Sequence, residues 1–161
     1  MMNLNTQLKK IATRHGLILA IALAGFFLAM RALGLGHNYW MRALNFIFVF
    51  GLVYSAIRRF KDISGGQYYE EFFDLFKTGI RTSLVGIGIF AVFLLAYLGF
   101  IDQAFMLELE QMESFGGLIS PISVSFLIFL EGMGSSFVCS YLAIQLLKSR
   151  TVERPVEPSQ Q

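Results

Sequence analysis

The stretch TSLVGIGIFAVFLLAYLGFI, residues 82–101, decides the fold, because its 20 consecutive positions hold no charged side chain. At about 1.5 Å per residue a helix of that length covers about 30 Å, the thickness of a bilayer hydrocarbon core. A second stretch, 114–147, holds one charge, Glu131, in 34 positions. The whole chain of 161 residues is 55% hydrophobic and 15% charged, whereas a soluble domain carries about 25% charged residues. There is too little charge to cover a water-facing surface, so the sequence reads as a membrane protein.

Working outward from 82–101, the pattern predicts four spans, at about 16–35, 39–57, 82–101 and 121–147. The segment from Gly34 to Asn38 is a helix-ending turn rich in residues that tolerate positive φ. Ser120-Pro121 supplies an N-cap followed by proline at the first helical position. Residues 121–147 are longer than a span needs, so that helix should tilt or project beyond the bilayer. Two connections read as short amphipathic interfacial helices. In the first, Tyr69, Phe72, Phe73, Phe76 and Ile80 recur at helical spacing; in the second, Phe105, Leu109 and Met112 share a face opposite acidic residues. The expected fold is therefore all-α: a membrane-embedded four-helix bundle with two interfacial helices. Residues 1–147 form one integral membrane domain, and 148–161, with Pro155 and Pro158 among polar residues, form a disordered tail. The apolar run beginning near Gly16 continues past Ala24 to Met30, which favours an uncleaved helix over a signal peptide.

Orientation follows from the basic residues. Eleven of the 13 Lys and Arg fall in the N-terminal segment, the middle connection and the tail, leaving Arg31 and Arg42 on the other side. By the positive-inside rule both termini are cytoplasmic. Tyr39 and Trp40 suit the outer boundary of the second span.

Glu131 carries the most chemical content. It lies ten residues after Pro121, about 15 Å deep and close to mid-membrane, where an ionised carboxylate is costly. Arg31 lies roughly 8 Å from the outer boundary, so it either snorkels outward or reaches inward toward Glu131. Asn45 and Tyr97 fall in the same half, which gives a candidate intramembrane polar site of Glu131, Arg31, Asn45 and Tyr97. Small residues at four-residue spacing, Gly16, Ala20 and Ala24 in the first span and Gly132, Ser136 and Ser140 in the fourth, mark helix-packing faces.

Catalytic signatures fail for stated reasons. His15 and His37 fall at opposite faces and cannot share a metal, and Cys139 is alone. Glu131-Gly132-Met133-Gly134 follows no strand and lacks the third glycine of a dinucleotide site. No catalytic residue, metal or cofactor is expected. A net charge of +2 gives no reason to expect nucleic acid. The expected partners are the lipid bilayer and other membrane subunits or a second copy.

The basic entry from Lys9-Lys10 to Gly16, then Ile63-Ser64-Gly65-Gly66, Phe72 to Phe76, and Lys77-Thr78-Gly79 leading into the third span resemble an uncharacterised bacterial family of short inner-membrane proteins, a domain of unknown function. The likeness covers most of 9–147. It implies a four-helix cytoplasmic-membrane protein and transfers no catalytic residue; Glu131 matches no motif of that family. The function expected is that of a non-enzymatic accessory or assembly subunit of a larger inner-membrane complex. The alternative is a small oligomeric transporter or proton-coupled component using Glu131.

Overall fold

The computed structural model describes residues 4–34, 39–64, 68–112 and 120–152, with side chains described over 5–34, 44–64, 72–107 and 120–148. The described chain is helical throughout apart from short turns. Its elements are α1 (Leu4–Ala32), α2 (Tyr39–Ser64), α3 (Tyr68–Ala96), a π-helical turn (Tyr97–Ile101), α4 (Gln103–Met112) and α5 (Pro121–Val152). Three stretches are long and apolar enough to cross a membrane: Asn5–Ala32, Phe72–Ile101 and Pro121–Lys148. The four long helices α1, α2, α3 and α5 pack side by side, with α3 at the centre, most extensively against α1 and α5.

The helix ends follow local chemistry. Gly34 takes φ of 69° and donates its N–H to the carbonyl of Arg31, ending α1 where the sequence predicts a turn. The rest of that turn, 35–38, lies outside the described residues. At the start of α5 the Ser120 hydroxyl accepts from the Ser123 N–H at 3.2 Å, and the Ser123 hydroxyl accepts from the Ser120 N–H at 2.8 Å. This reciprocal cap satisfies two backbone donors at the helix entry.

The structure changes three readings. Residues 69–80, read as a separate helix lying on the interface, are the first part of α3, which continues unbroken into the span. Neither Ile80 nor Arg81 breaks a helix, and Phe72 and Phe76 of the apolar face pack on the core cluster beside buried Leu75, while Phe73 stays exposed. The fourth helix continues to Val152, five residues into the segment read as tail; 153–161 lie outside the described residues. The third span keeps its bounds but finishes in a π turn rather than an α turn. The second interfacial segment is a separate helix, α4, whose buried residues are Phe105 and Met106; the side chains of Leu109 and Met112 lie outside the described set.

The small-residue repeats meet partners across α3, on two of its faces. Toward α1, Gly16 lies so close to Thr82 and Val85 that an added Cβ would stand 2.8 Å from each, and a Cβ on Gly86 would meet Leu19 at 2.7 Å. Numbers rise together along this contact, so α1 and α3 run in the same direction. Toward α5, Gly79 packs against Ser140, with Ile57 of α2 closing the same contact, and Gly132 packs against Ile87. Here numbers run oppositely, so α3 and α5 are antiparallel. Ala20, Ser136 and Ser140 are buried and Ala24 is half-buried, as expected of packing faces. Lipid is as apolar as a leucine side chain, so cohesion in a membrane comes from this close approach rather than from escaping water.

Space at each glycine predicts different outcomes. Gly79→Val drives methyl groups into Ser140 and Ile57, and overpacking of this kind costs about 1–3 kcal/mol. Gly134→Ala meets nothing within 4 Å and removes the helix penalty of glycine, a gain of up to about 1 kcal/mol. Thermal unfolding in mild detergent should show Tm lowered for the first variant and unchanged or raised for the second.

Candidate functional site

The sequence places Arg31 one residue before the end of α1. Asp102 follows the π turn at the end of the third span, and both termini lie at the same end of the bundle because α1 and α3 run in the same direction. The two residues meet. Arg31 Nε donates to Asp102 Oδ2 at 2.7 Å and Arg31 Nη2 to Oδ1 at 3.2 Å, a two-pronged pair in the geometry a guanidinium favours. Tyr97 Oη donates to Oδ2 at 3.4 Å, and the backbone N–H of Phe105 donates to Oδ1 at 3.0 Å. Asp102 is therefore also the N-cap of α4, accepting from the third helical residue. The π turn delivers it there: the Asp102 N–H bonds the carbonyl of Tyr97, five residues back, at 3.0 Å.

An aromatic group seals the inner side. The Arg31 guanidinium lies over the Phe105 ring, 4.4 Å from its centroid. Phe27, one helical turn before Arg31, sits edge-on to Tyr97 at 5.3 Å and within 6.4 Å of Phe90, Phe93 and Phe105. With side chains 26% and 16% exposed, Arg31 and Asp102 are partly shielded from water. The hydrogen bonds from Arg31 hold the Asp102 carboxyl below its ordinary pKa, against the opposing effect of burial, with the Phe105 N–H and Tyr97 hydroxyl acting in the same direction as Arg31. Four donors meet the roughly four acceptor positions of a carboxylate, so the group is saturated. Its chemistry is that of a structural clamp between α1, the end of α3 and α4.

Of the four residues predicted to form the intramembrane polar site, the structure brings Arg31 and Tyr97 together, through Asp102. Asn45 is half-buried on α2. Glu131 is exposed on α5, and Arg31, Tyr97 and the Phe105 backbone meet at the Asp102 carboxylate. Sequence reading misses Asp102 because it follows the charge-free run 82–101 directly, where an acidic residue reads as part of a connection. The available signal was depth: opposite charges stand at the outer ends of two spans, and one arginine side chain covers the difference.

Elsewhere, polar side chains serve the helices themselves. Thr78 and Thr82 donate to the carbonyls of Asp74 and Thr78, both at 2.7 Å, and Ser136 donates to Gly132 at 2.7 Å. Lys61 Nζ donates to the Leu147 carbonyl at 3.1 Å, tying α2 to α5 at the basic end. Among the described residues, the buried hydroxyls of Ser83, Ser125 and Ser140 have no hydrogen-bond partner.

Helices of this length and apolarity, joined by a saturated clamp at one end, define a multi-helix membrane protein. The family described as a protein of unknown function, DUF4199, matches residues 14–115, well over half of the chain, and the chain belongs to that family. The match takes in α1 from Arg14, all of α2 to α4 and hence both partners of the clamp, while α5 lies beyond it. No curated protein and no solved structure matches the chain.

The clamp has a definite pH signature. Because the Asp102 pKa is lowered on folding, its contribution is full above the unfolded carboxylate value of about 3.9 and is lost as pH falls toward the lowered folded value. Asp102→Asn should lower Tm at pH 7 by about 2–4 °C, the equivalent of about 1 kcal/mol. The gap to the wild type should close below about pH 4. A Tm difference independent of pH would contradict the assignment.

Proposed function

We propose that the chain is a non-enzymatic, four-span accessory or assembly subunit of a larger complex in the bacterial cytoplasmic membrane, with both termini cytoplasmic. α2 is the fourth span: its 26 residues extend about 39 Å, and it packs against α1, α3 and α5. The charge asymmetry supports the orientation.

The observation that carries the reading is the outward face of α5. Only 17% of its apolar window is buried inside the chain, against 39% for the α1 window and 33% for that of α3. Along that face Leu127, Glu131, Gly134, Val138 and Tyr141 recur at four- and three-residue spacing, all exposed. Such spacing is the seam of a helix pair, with Gly134 allowing close approach and Glu131 offering a hydrogen-bonding group at mid-depth. The arrangement suits contact with a neighbouring transmembrane helix.

Native mass spectrometry of the full chain, extracted from its own membranes in mild detergent, tests this. The expected result is a defined partner at fixed stoichiometry, lost or much reduced in Glu131→Ala and in Gly134→Leu. A monomer without partners would contradict the proposal. A homo-oligomer that binds an ion or solute through Glu131 would favour the transport reading instead.

A further inference from the structure

We infer that Arg14, Arg58, Arg59 and Arg81 form a collar around the bundle that binds the phosphate groups of anionic phospholipids in one leaflet. The inference rests on the bundle spanning a membrane and is independent of any partner subunit.

Helix packing sets the level of each arginine. Gly16 meets Thr82 and Val85, which places Arg14, two residues earlier on a helix of the same direction, level with Arg81. Ile57 meets Gly79, so Arg58 and Arg59, next along the opposed helix α2, lie about 1.5–3 Å beyond Gly79, and Arg81 about 3 Å on its other side. The four side chains, carried on three helices, thus fall within about 6 Å of one level. Measured from the other end of its own helix, each lies about 27–32 Å away, counting from Ala32, Tyr39 or Asp102. That is the thickness of a hydrocarbon core, so the collar stands where lipid phosphates begin.

All four side chains are exposed, and among the described residues none of the four has an ion pair or hydrogen-bond partner in the protein. By contrast, Arg31 is held by Asp102; Lys77, level with Arg59, pairs with Asp74 at 3.3 Å; and Lys61 donates to Leu147, while Lys9 and Lys10 are exposed like the four arginines. Residue type is sorted along α1, α2 and α3. On these helices the lysines Lys9, Lys10, Lys61 and Lys77 lie farther from the opposite end than the collar arginine of their own helix, with Lys77 level with Arg59, and on α5 both Lys148 and Arg150 lie beyond the collar level at Ser140. A guanidinium offers a planar fork that fits two phosphate oxygens, whereas an ammonium is a strongly hydrated point charge better suited to water. The helices continue past the collar with a buried core of Leu8, Ile11, Phe60, Leu75 and Leu147, so the bundle stands out of the bilayer and the arginines ring its waist.

The test titrates phosphatidylglycerol and phosphatidylcholine onto the detergent-solubilised full chain and counts bound lipids by native mass spectrometry. The wild type should prefer phosphatidylglycerol by about tenfold or more. Changing all four arginines to Gln should abolish that preference, and changing them to Lys should leave an intermediate one. Changing Lys9, Lys10, Lys61 and Lys148 to Gln removes the same charge beyond the collar and should leave the preference within about twofold of wild type. Thermal unfolding checks that each variant is folded. The collar is overturned if the Arg-to-Gln variant keeps the preference, if the lysine variant loses it equally, or if inorganic phosphate at matched concentration displaces the lipid. Failure to find a partner subunit would leave these outcomes untouched, so the two proposals fail separately.

Discussion

The close approach of α3 to α1 on one face and to α5 on another is the constraint on which the rest of the structure depends. Gly79, Gly86, Gly16 and Gly132 each occupy a contact that leaves no room for a Cβ without movement of a neighbour. In lipid this dense packing replaces the expulsion of water as the source of cohesion. Its cost is visible in Ser83 and Ser140, whose hydroxyls are buried on the same helices without a hydrogen-bond partner. Small volume at these positions contributes more than hydrogen bonding does.

That register determines where every charge falls. With α1 and α3 running together, Arg31 and Asp102 arrive at one end at the same depth and close a clamp that a π turn and the α4 cap complete. At the other end the same register brings Arg14, Arg58, Arg59 and Arg81 of three helices to within about 6 Å of one level. The two ends therefore differ in kind. At one, Arg31 and Asp102 neutralise each other, and at the other Arg14, Arg58, Arg59 and Arg81 are exposed.

The sequence is informative about lengths and ends and weak about faces. The charge-free run 82–101, the Gly34 turn and the Ser120-Pro121 start are legible because each depends on a few adjacent residues. The repeats Gly16-Ala20 and Gly132-Ser136-Ser140 are legible as packing faces, but their partners on α3 are not, since spacing within one helix says nothing about which helix it meets. The same limit explains 69–80: periodic phenylalanines show that a face is apolar, and both a lipid surface and a helix bundle satisfy it. It also explains the polar site. Depth brings Arg31 and Glu131 to similar levels, but it carries no information about rotation around each helix axis, and it does not show that Arg31 meets Asp102.

The central claim is that α3 is one upright helix that leaves the bilayer near Arg81 rather than bending along its surface. Spin labels placed one at a time from 72 to 101 on a Cys139→Ala background, in reconstituted vesicles, measure it directly through relative collision with oxygen and with a water-soluble nickel complex. The account predicts lipid-type accessibility for exposed sites from 84 to 100, a change near 81, and water-type accessibility at 73 and 77. Lipid-type accessibility at 73 and 77, at a constant shallow depth, would show the segment lying on the membrane and would contradict it.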